Sequence, residues 1–331
     1  MATTYDFIKQ NKRRTVLLVL LFPLFFALLT WGIFALVFGM IGGDPYAASG
    51  EFPPADTITA LNRLMMYVLP ICWGLAMVWM VVSYFTGDQI ILNSVNAIEI
   101  TAGDQPEIYR LVENLCITRG LPTPKIYILK DSALNAFATG RDPQHASVAL
   151  TYGIVTKLER AELEGVIAHE LAHIENRDIR LMLIMVAGIS FFTLMGELCF
   201  RMGLVSSNSR RKEGGGANLL FFVLGITCMI YGYLIAPLLR LAVSRTREYQ
   251  ADATAALTTR NPRALASALK KISQASRVEV LEKQSAMAAM CIENPSGPEG
   301  MGLFGALSGL TATHPPIEKR IQALLEMDRG I

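Results

Sequence analysis

The chain has 331 residues, of which 52% are hydrophobic and only 18% charged, with 30 Lys and Arg against 28 Asp and Glu. That balance excludes a disordered or collagen-like chain and offers no basic face for nucleic acid. A mean hydropathy of +0.38 demands that the surplus apolar surface be kept from water, and five cysteines at no ligand-like spacing argue against both a disulfide framework and a cysteine metal site.

The apolarity lies in four segments, residues 15–39, 61–84, 181–200 and 217–243. Each is long enough to cross the ~30 Å hydrocarbon layer as a helix. Lys9, Lys12, Arg13 and Arg14 precede the first segment, whereas the loop after it, 40–60, has no Lys or Arg and holds Asp44, Glu51 and Asp56. The asymmetry predicts an amino terminus inside the cell, with the first segment a retained anchor rather than a cleaved signal. Residues 1–85 are therefore expected to form an N-terminal region with two transmembrane helices. Residues 86–179 would be the first part of a cytoplasmic body, 180–243 a hairpin of the third and fourth spans, and 244–331 the second part of that body. An even number of spans separates the two soluble parts, so they share a side. The hairpin loop carries Arg201, Arg210, Arg211 and Lys212, against the positive-inside tendency, and whether the pair crosses fully or only dips is open. Glu197 and Arg240 near segment ends read as interfacial charges.

Within the soluble parts, 104–119 shows helical spacing and stops at Gly120, before Pro122 and Pro124. Residues 125–130 alternate as a strand, and 135–139 and 146–151 read as two more around a turn at 140–144. A long helix is expected over 160–177, and another is started by Pro316. The Gly- and Pro-rich stretch 293–309, which includes Met301, has no period and reads as a loop. The expected class is mainly α with a small β-sheet, combined with membrane-embedded helices.

The strongest chemical signal is His169-Glu170-Leu171-Ala172-His173. Residues four apart stack on one helical face, so both imidazoles can ligate one metal ion while Glu170 lies beside it as a base for water. Chance supplies roughly 0.003 such matches in a chain of this composition. A third ligand is needed. His145 sits in a polar turn outside any helical register, so a carboxylate is expected instead. Glu248 and Asp252, again four apart, follow the fourth apolar segment: Glu248 as the third ligand, Asp252 holding a ligand imidazole, His169, through its other nitrogen. One Zn2+ per chain would then activate water, with Glu170 passing its proton to the leaving amine. His314, in Thr313-His314-Pro315-Pro316, is the candidate donor to the oxyanion, with Arg320 as its support. The substrate backbone is expected to add to an edge strand. Residues 146–151 are the favoured edge, although a core position is open, and Asn135, Ala136, Val148 and Ala149 are the candidate substrate contacts.

These motifs, together with Asn176-Arg177-Asp178, Ser244-Arg245-Thr246-Arg247-Glu248-Tyr249-Gln250-Ala251-Asp252 and Leu134-Asn135-Ala136-Phe137-Ala138-Thr139-Gly140, resemble the HtpX-type integral-membrane zinc metallopeptidases, relatives of the CAAX prenyl protease. The resemblance runs from about residue 103 to the end. It implies a gluzincin-like metallopeptidase domain facing the cytoplasm of a multi-pass inner-membrane protein, polypeptide substrates, and quality control of misfolded or damaged membrane proteins. It also implies His169, His173 and Glu248 as ligands, Glu170 as general base and an active-site place for His314. Substrate preference and oligomeric state are not implied.

Three rivals are weighed against this. An intramembrane protease would bury its motif in lipid, but here Glu159, Arg160, Glu162, Glu164, Glu175, Arg177 and Asp178 flank it. A CAAX-type prenyl-protein protease needs a larger chamber than four spans enclose. A non-catalytic, zinc-stabilised membrane adaptor has no use for a base such as Glu170 beside an open coordination position.

Overall fold

The computed structural model describes residues 55–207, 221–230, 245–274 and 315–328, with isolated positions between 13 and 32. The first apolar segment, most of the fourth with Arg240, the 293–309 stretch and His314 lie outside the described residues. Two compact units result, one containing residues 83–186 and 237–331, the other 16–82 and 187–236.

The first unit is built on a four-stranded sheet. Its strands are β1 (Ile98–Ile100), β2 (Lys125–Leu129), β3 (Ala136–Gly140) and β4 (Ala146–Thr151), in the order β1-β2-β4-β3. The β2–β4 pair is parallel and the two outer pairs are antiparallel. Alternate side chains feed two cores. Ile126, Val148, Leu150, Ala136 and Ala138 enter the larger one, while Tyr127, Leu129, Ala149 and Phe137 enter the smaller one. Both faces are covered, which is why these strands read as nearly continuous apolar runs. The β3–β4 turn needs Gly140, whose φ of +132° is disfavoured for side chains and whose Cβ would sit 2.2 Å from the His145 carbonyl oxygen.

The pairing order corrects one expectation. Residues 146–151 are not an edge: β4 is bonded to β2 on one side and to β3 on the other. Val148 and Ala149 are fully buried, and with both ladder sides used they have no backbone to offer a substrate strand. The edge on that side, among the described residues, is β3, which Asn135 immediately precedes.

Helices cover the sheet. In chain order the helices are α1 (Ala55–Ser94), α2 (Pro106–Arg119), α3 (Tyr152–Lys157), α4 (Arg160–Glu175), α5 (Asp178–Ser207), α6 (Phe221–Ile230), α7 (Arg245–Thr259), α8 (Pro262–Gln274) and α9 (Ile317–Asp328). Gly120 ends α2 in the left-handed conformation, its N–H donating to the Cys116 and Ile117 carbonyls. The larger core draws on α2, α4, α7, α8 and α9. Gly165 of α4 lets α8 approach closely, since a Cβ there would meet Leu265 at 3.1 Å. The smaller core takes Ile91 and Leu92 from the end of α1, Val95 just after it, and Leu183 and Val186 from the start of α5. That packing explains why α1 continues past residue 84, where the apolar run ends, to Ser94.

In the second unit, Trp79 Nε1 donates to the Ala187 carbonyl at 2.9 Å, and the Trp79 and Phe191 rings lie 5.8 Å apart. Small residues let α5 and α6 approach, with a Cβ on Gly196 falling 3.4 Å from the Gly225 carbonyl oxygen. Residues 73–94 and 178–204, at 22 and 27 residues, are long and apolar enough to cross a membrane. Trp73, Val78 and Val81 on α1 are about half exposed, an arrangement that suits lipid rather than water.

Candidate metal centre

α4 carries the two histidines. Its first turn is closed by a capping box in which the Glu159 N–H donates to Glu162 Oε2 at 2.8 Å. Three turns on, His169 and Glu170 are 1% and 2% exposed. The four-residue spacing stacks the rings at right angles, with centroids 4.8 Å apart and the two Nε2 atoms 3.2 Å apart. α7 packs against α4 and brings Glu248 to them. Its Oε2 lies 3.8 Å from His169 Nε2 and its Oε1 3.7 Å from His173 Nε2.

Behind each imidazole stands a carboxylate. Asp252 Oδ1 is 3.0 Å from His169 Nδ1, and Asp178 Oδ2 is 3.0 Å from His173 Nδ1. An ionised carboxylate only accepts, so Asp178 accepts from the His173 ring N–H at Nδ1 and turns Nε2 toward the centre, while Asp252 stands within ion-pair distance of the His169 ring. Each carboxylate is in turn met by a buried arginine. Arg320 Nε and Nη2 donate to both oxygens of Asp252 at 2.8 and 2.7 Å, and Arg247 Nη1 donates to Asp178 Oδ1 at 3.0 Å. Arg320 Nη1 also comes within 3.5 Å of Glu248.

The site's electrostatics follow from these contacts. Burial works against ionisation of Asp252, but the Arg320 guanidinium and the His169 ring outweigh it and hold the carboxyl at about 2. For His173, burial opposes the charged form, yet Asp178, Glu248 and Glu170 raise its pKa to about 9. So much negative charge around an imidazole marks a place prepared for a cation. The donor set fits zinc: two imidazole nitrogens and one carboxylate, all within 4.8 Å of one another. A tetrahedral ion with bonds of about 2.0–2.1 Å sets its ligand atoms about 3.3 Å apart, close to the separations found here.

Of the residues singled out from sequence, the fold brings His169, Glu170, His173, Glu248, Asp252 and Arg320 together. Arg320 is directed at Asp252. His145 is committed to the β3–β4 turn, where its backbone N–H and Nδ1 engage Asp142 Oδ1 at 2.9 and 2.8 Å. Asn135 and Ala136 sit at the start of β3, and Val148 and Ala149 inside the sheet. Two residues of the site escaped sequence reasoning. Asp178 is five positions from His173, a spacing that faces away on an unbroken helix, and no spacing rule sets Arg247 apart from an ordinary charge on a helix surface.

Residues 102–328 match the family described as Peptidase family M48. The Protease HtpX homolog of Bacteroides fragilis is 41% identical over 319 residues, covering 96% of each chain. That of Tropheryma whipplei is 39% identical over 323 residues and 98% of each chain, and that of Leuconostoc citreum 34% identical over 328 residues. Among solved structures, the crystal structure of S. mikatae Ste24p is similar with a TM-score of 0.44 and 18% identity, covering 89% of this chain and 61% of that one. Family match and near-full-length identity carry the same conclusion: this chain belongs to peptidase family M48 and is a zinc metallopeptidase of the HtpX type, a hydrolase of peptide bonds.

Proposed function

We propose that His169, His173 and Glu248 hold one zinc ion per chain and that the protein is an endopeptidase of the inner membrane, crossing it several times with its catalytic body in the cytoplasm. Its substrates in this reading are misfolded or damaged membrane proteins. The observation that carries the reading is the convergence of two Nε2 atoms and one carboxylate, each ring held from behind by an aspartate. Zinc bound there supplies Lewis acidity, polarising a carbonyl and lowering the pKa of water to about 7.

The protein's own groups do the rest. Glu170, beside His169 on α4, accepts the proton of the attacking water and delivers it to the departing amine. Asp252 and Arg320 keep His169 in its working orientation, a role that needs their burial and two-point contact. His314 donates to the developing oxyanion. β3 offers the edge for a substrate strand, with Asn135 and Ala136 at its start. Apolar helices 73–94 and 178–204 support the membrane assignment, and the basic residues ahead of the first apolar segment support the orientation.

The test is cleavage of an unfolded model protein in detergent by the full chain, with chelation and zinc add-back. Activity should vanish with chelator, return with zinc and be missing from Glu170→Gln. Cleavage indifferent to chelation would refute the reading. Orientation is checked by placing a cysteine at the exposed Gln144 position of a chain whose five native cysteines are replaced, and labelling it with an impermeant reagent in sealed vesicles. Labelling from the periplasmic side would reverse the topology.

A further inference from the structure

The geometry points to Asp178 and Arg247 as a positioning pair for His173, a second arm that does for this ring what Asp252 and Arg320 do for His169. The inference rests on the proposed zinc site and adds to it two residues that do not touch the ion.

An unbroken helix would place residues 173 and 178 roughly 140° apart around its axis. They meet only because the chain breaks between α4 and α5, where Arg177 takes a left-handed φ of 59°. A non-glycine residue held in that conformation costs roughly 1 kcal/mol, which the surrounding structure must offset. What the break achieves is delivery of Asp178 Oδ2 to 3.0 Å from His173 Nδ1.

The other oxygen is used as well. Arg247 reaches Asp178 Oδ1 across 69 residues of sequence, and both side chains are only 5% exposed. Arg247 directly precedes Glu248, so one turn of α7 supplies a metal-facing carboxylate and, about 100° around the helix, the clamp on the opposite ligand's partner. A simpler role for Asp178, favouring the positive end of α5, requires neither the ring contact nor the arginine.

Positioning matters more on this side of the site. The His169 side chain is 1% exposed and locked by packing, whereas that of His173 is 16% exposed. Without Asp178 the His173 ring can turn, or carry its proton on Nε2, and either change removes a lone pair from the metal centre. With it, proton and orientation are both fixed. Because Asp178 is also the first residue of α5, the start of an apolar helix is tied to the metal centre through one carboxylate.

The experiment uses the full chain in detergent, loaded with zinc, and compares the parent with Asp178→Asn, Arg247→Met and Arg247→Lys. Asparagine keeps the size and helix-starting ability of Asp178 but has a single acceptor oxygen, so it cannot serve ring and guanidinium together. The readouts are zinc release to a chromophoric chelator, kcat and KM for peptide cleavage, and the visible spectrum of the Co2+-substituted protein. Asp178→Asn should release zinc about 10-fold faster or more and lower kcat with KM within about twofold, and its cobalt bands should shift. Arg247→Met should follow it, and Arg247→Lys should recover part of the loss. Folded Asp178→Asn with release and kcat within about twofold of the parent would overturn the inference. If that variant fails to fold, Arg247→Met decides: parental zinc release overturns the inference, and accelerated release partly recovered by Arg247→Lys supports it. A parent chain that binds no zinc at all would instead remove the metal site and this arm together.

Discussion

Arg320 on α9 grips Asp252 on α7 through two hydrogen bonds of 2.7 and 2.8 Å, although 68 residues separate them in sequence. Arg320 is fully buried and Asp252 nearly so. Removing one member of such a pair leaves the other charge without compensation in a low-dielectric interior, at a cost of about 3–5 kcal/mol. Arg320→Met should therefore lower the thermal midpoint in detergent by roughly 10 °C and weaken zinc retention, because Asp252 then orients His169 less well. A midpoint within about 2 °C of the parent would show that the pair carries little of the fold's stability.

In the proposed mechanism Glu170 and Glu248 separate chemistry from metal binding. Glu170→Gln should retain close to one zinc per chain and lose at least about a hundredfold in kcat, as removal of a general base does. Glu248→Ala should lose both metal and activity. Metal analysis beside peptide-cleavage assays distinguishes them. A fully loaded Glu248→Ala protein would mean that another residue completes the site, and retained turnover in Glu170→Gln would mean another base.

In the proposed mechanism His314 serves the oxyanion and not the ion. His314→Ala should lower kcat by about a hundredfold while leaving zinc stoichiometry unchanged. Equal turnover in variant and parent removes it from the mechanism.

Acid sensitivity has an identifiable contributor at the α4–α8 contact. Burial tends to raise the Glu162 carboxyl's pKa, but Lys271, Ser267 and the Glu159 N–H hold it below the ordinary value. A depressed carboxylate contributes stability above its unfolded pKa of about 4.3 and loses it as pH falls through the lower folded value. Lys271→Met should accordingly cost roughly 1 kcal/mol at pH 7, and the gap between parent and variant should close below about pH 4. Thermal melts over a pH series measure it, and a gap that persists at low pH would point to packing instead.

The sequence alone determined whatever depends on neighbours along one element. Four-residue spacing aligns His169 with His173 and Glu248 with Asp252 whatever the rest of the chain does, because helix periodicity is local. Gly120 after an amphipathic run likewise marked the end of α2. Tertiary structure decided what depends on the path of the chain between elements. Strand order is one such matter: 136–140 and 146–151 are both apolar and both buried, and only pairing shows that β4 is interior and β3 the edge. The arms behind the imidazoles are another. Asp178 reaches His173 through a backbone break that no spacing rule anticipates, and Arg247 and Arg320 find their aspartates across 69 and 68 residues. A buried charge is recognisable only once its partner is in place, since the same side chains in water would be ordinary surface residues.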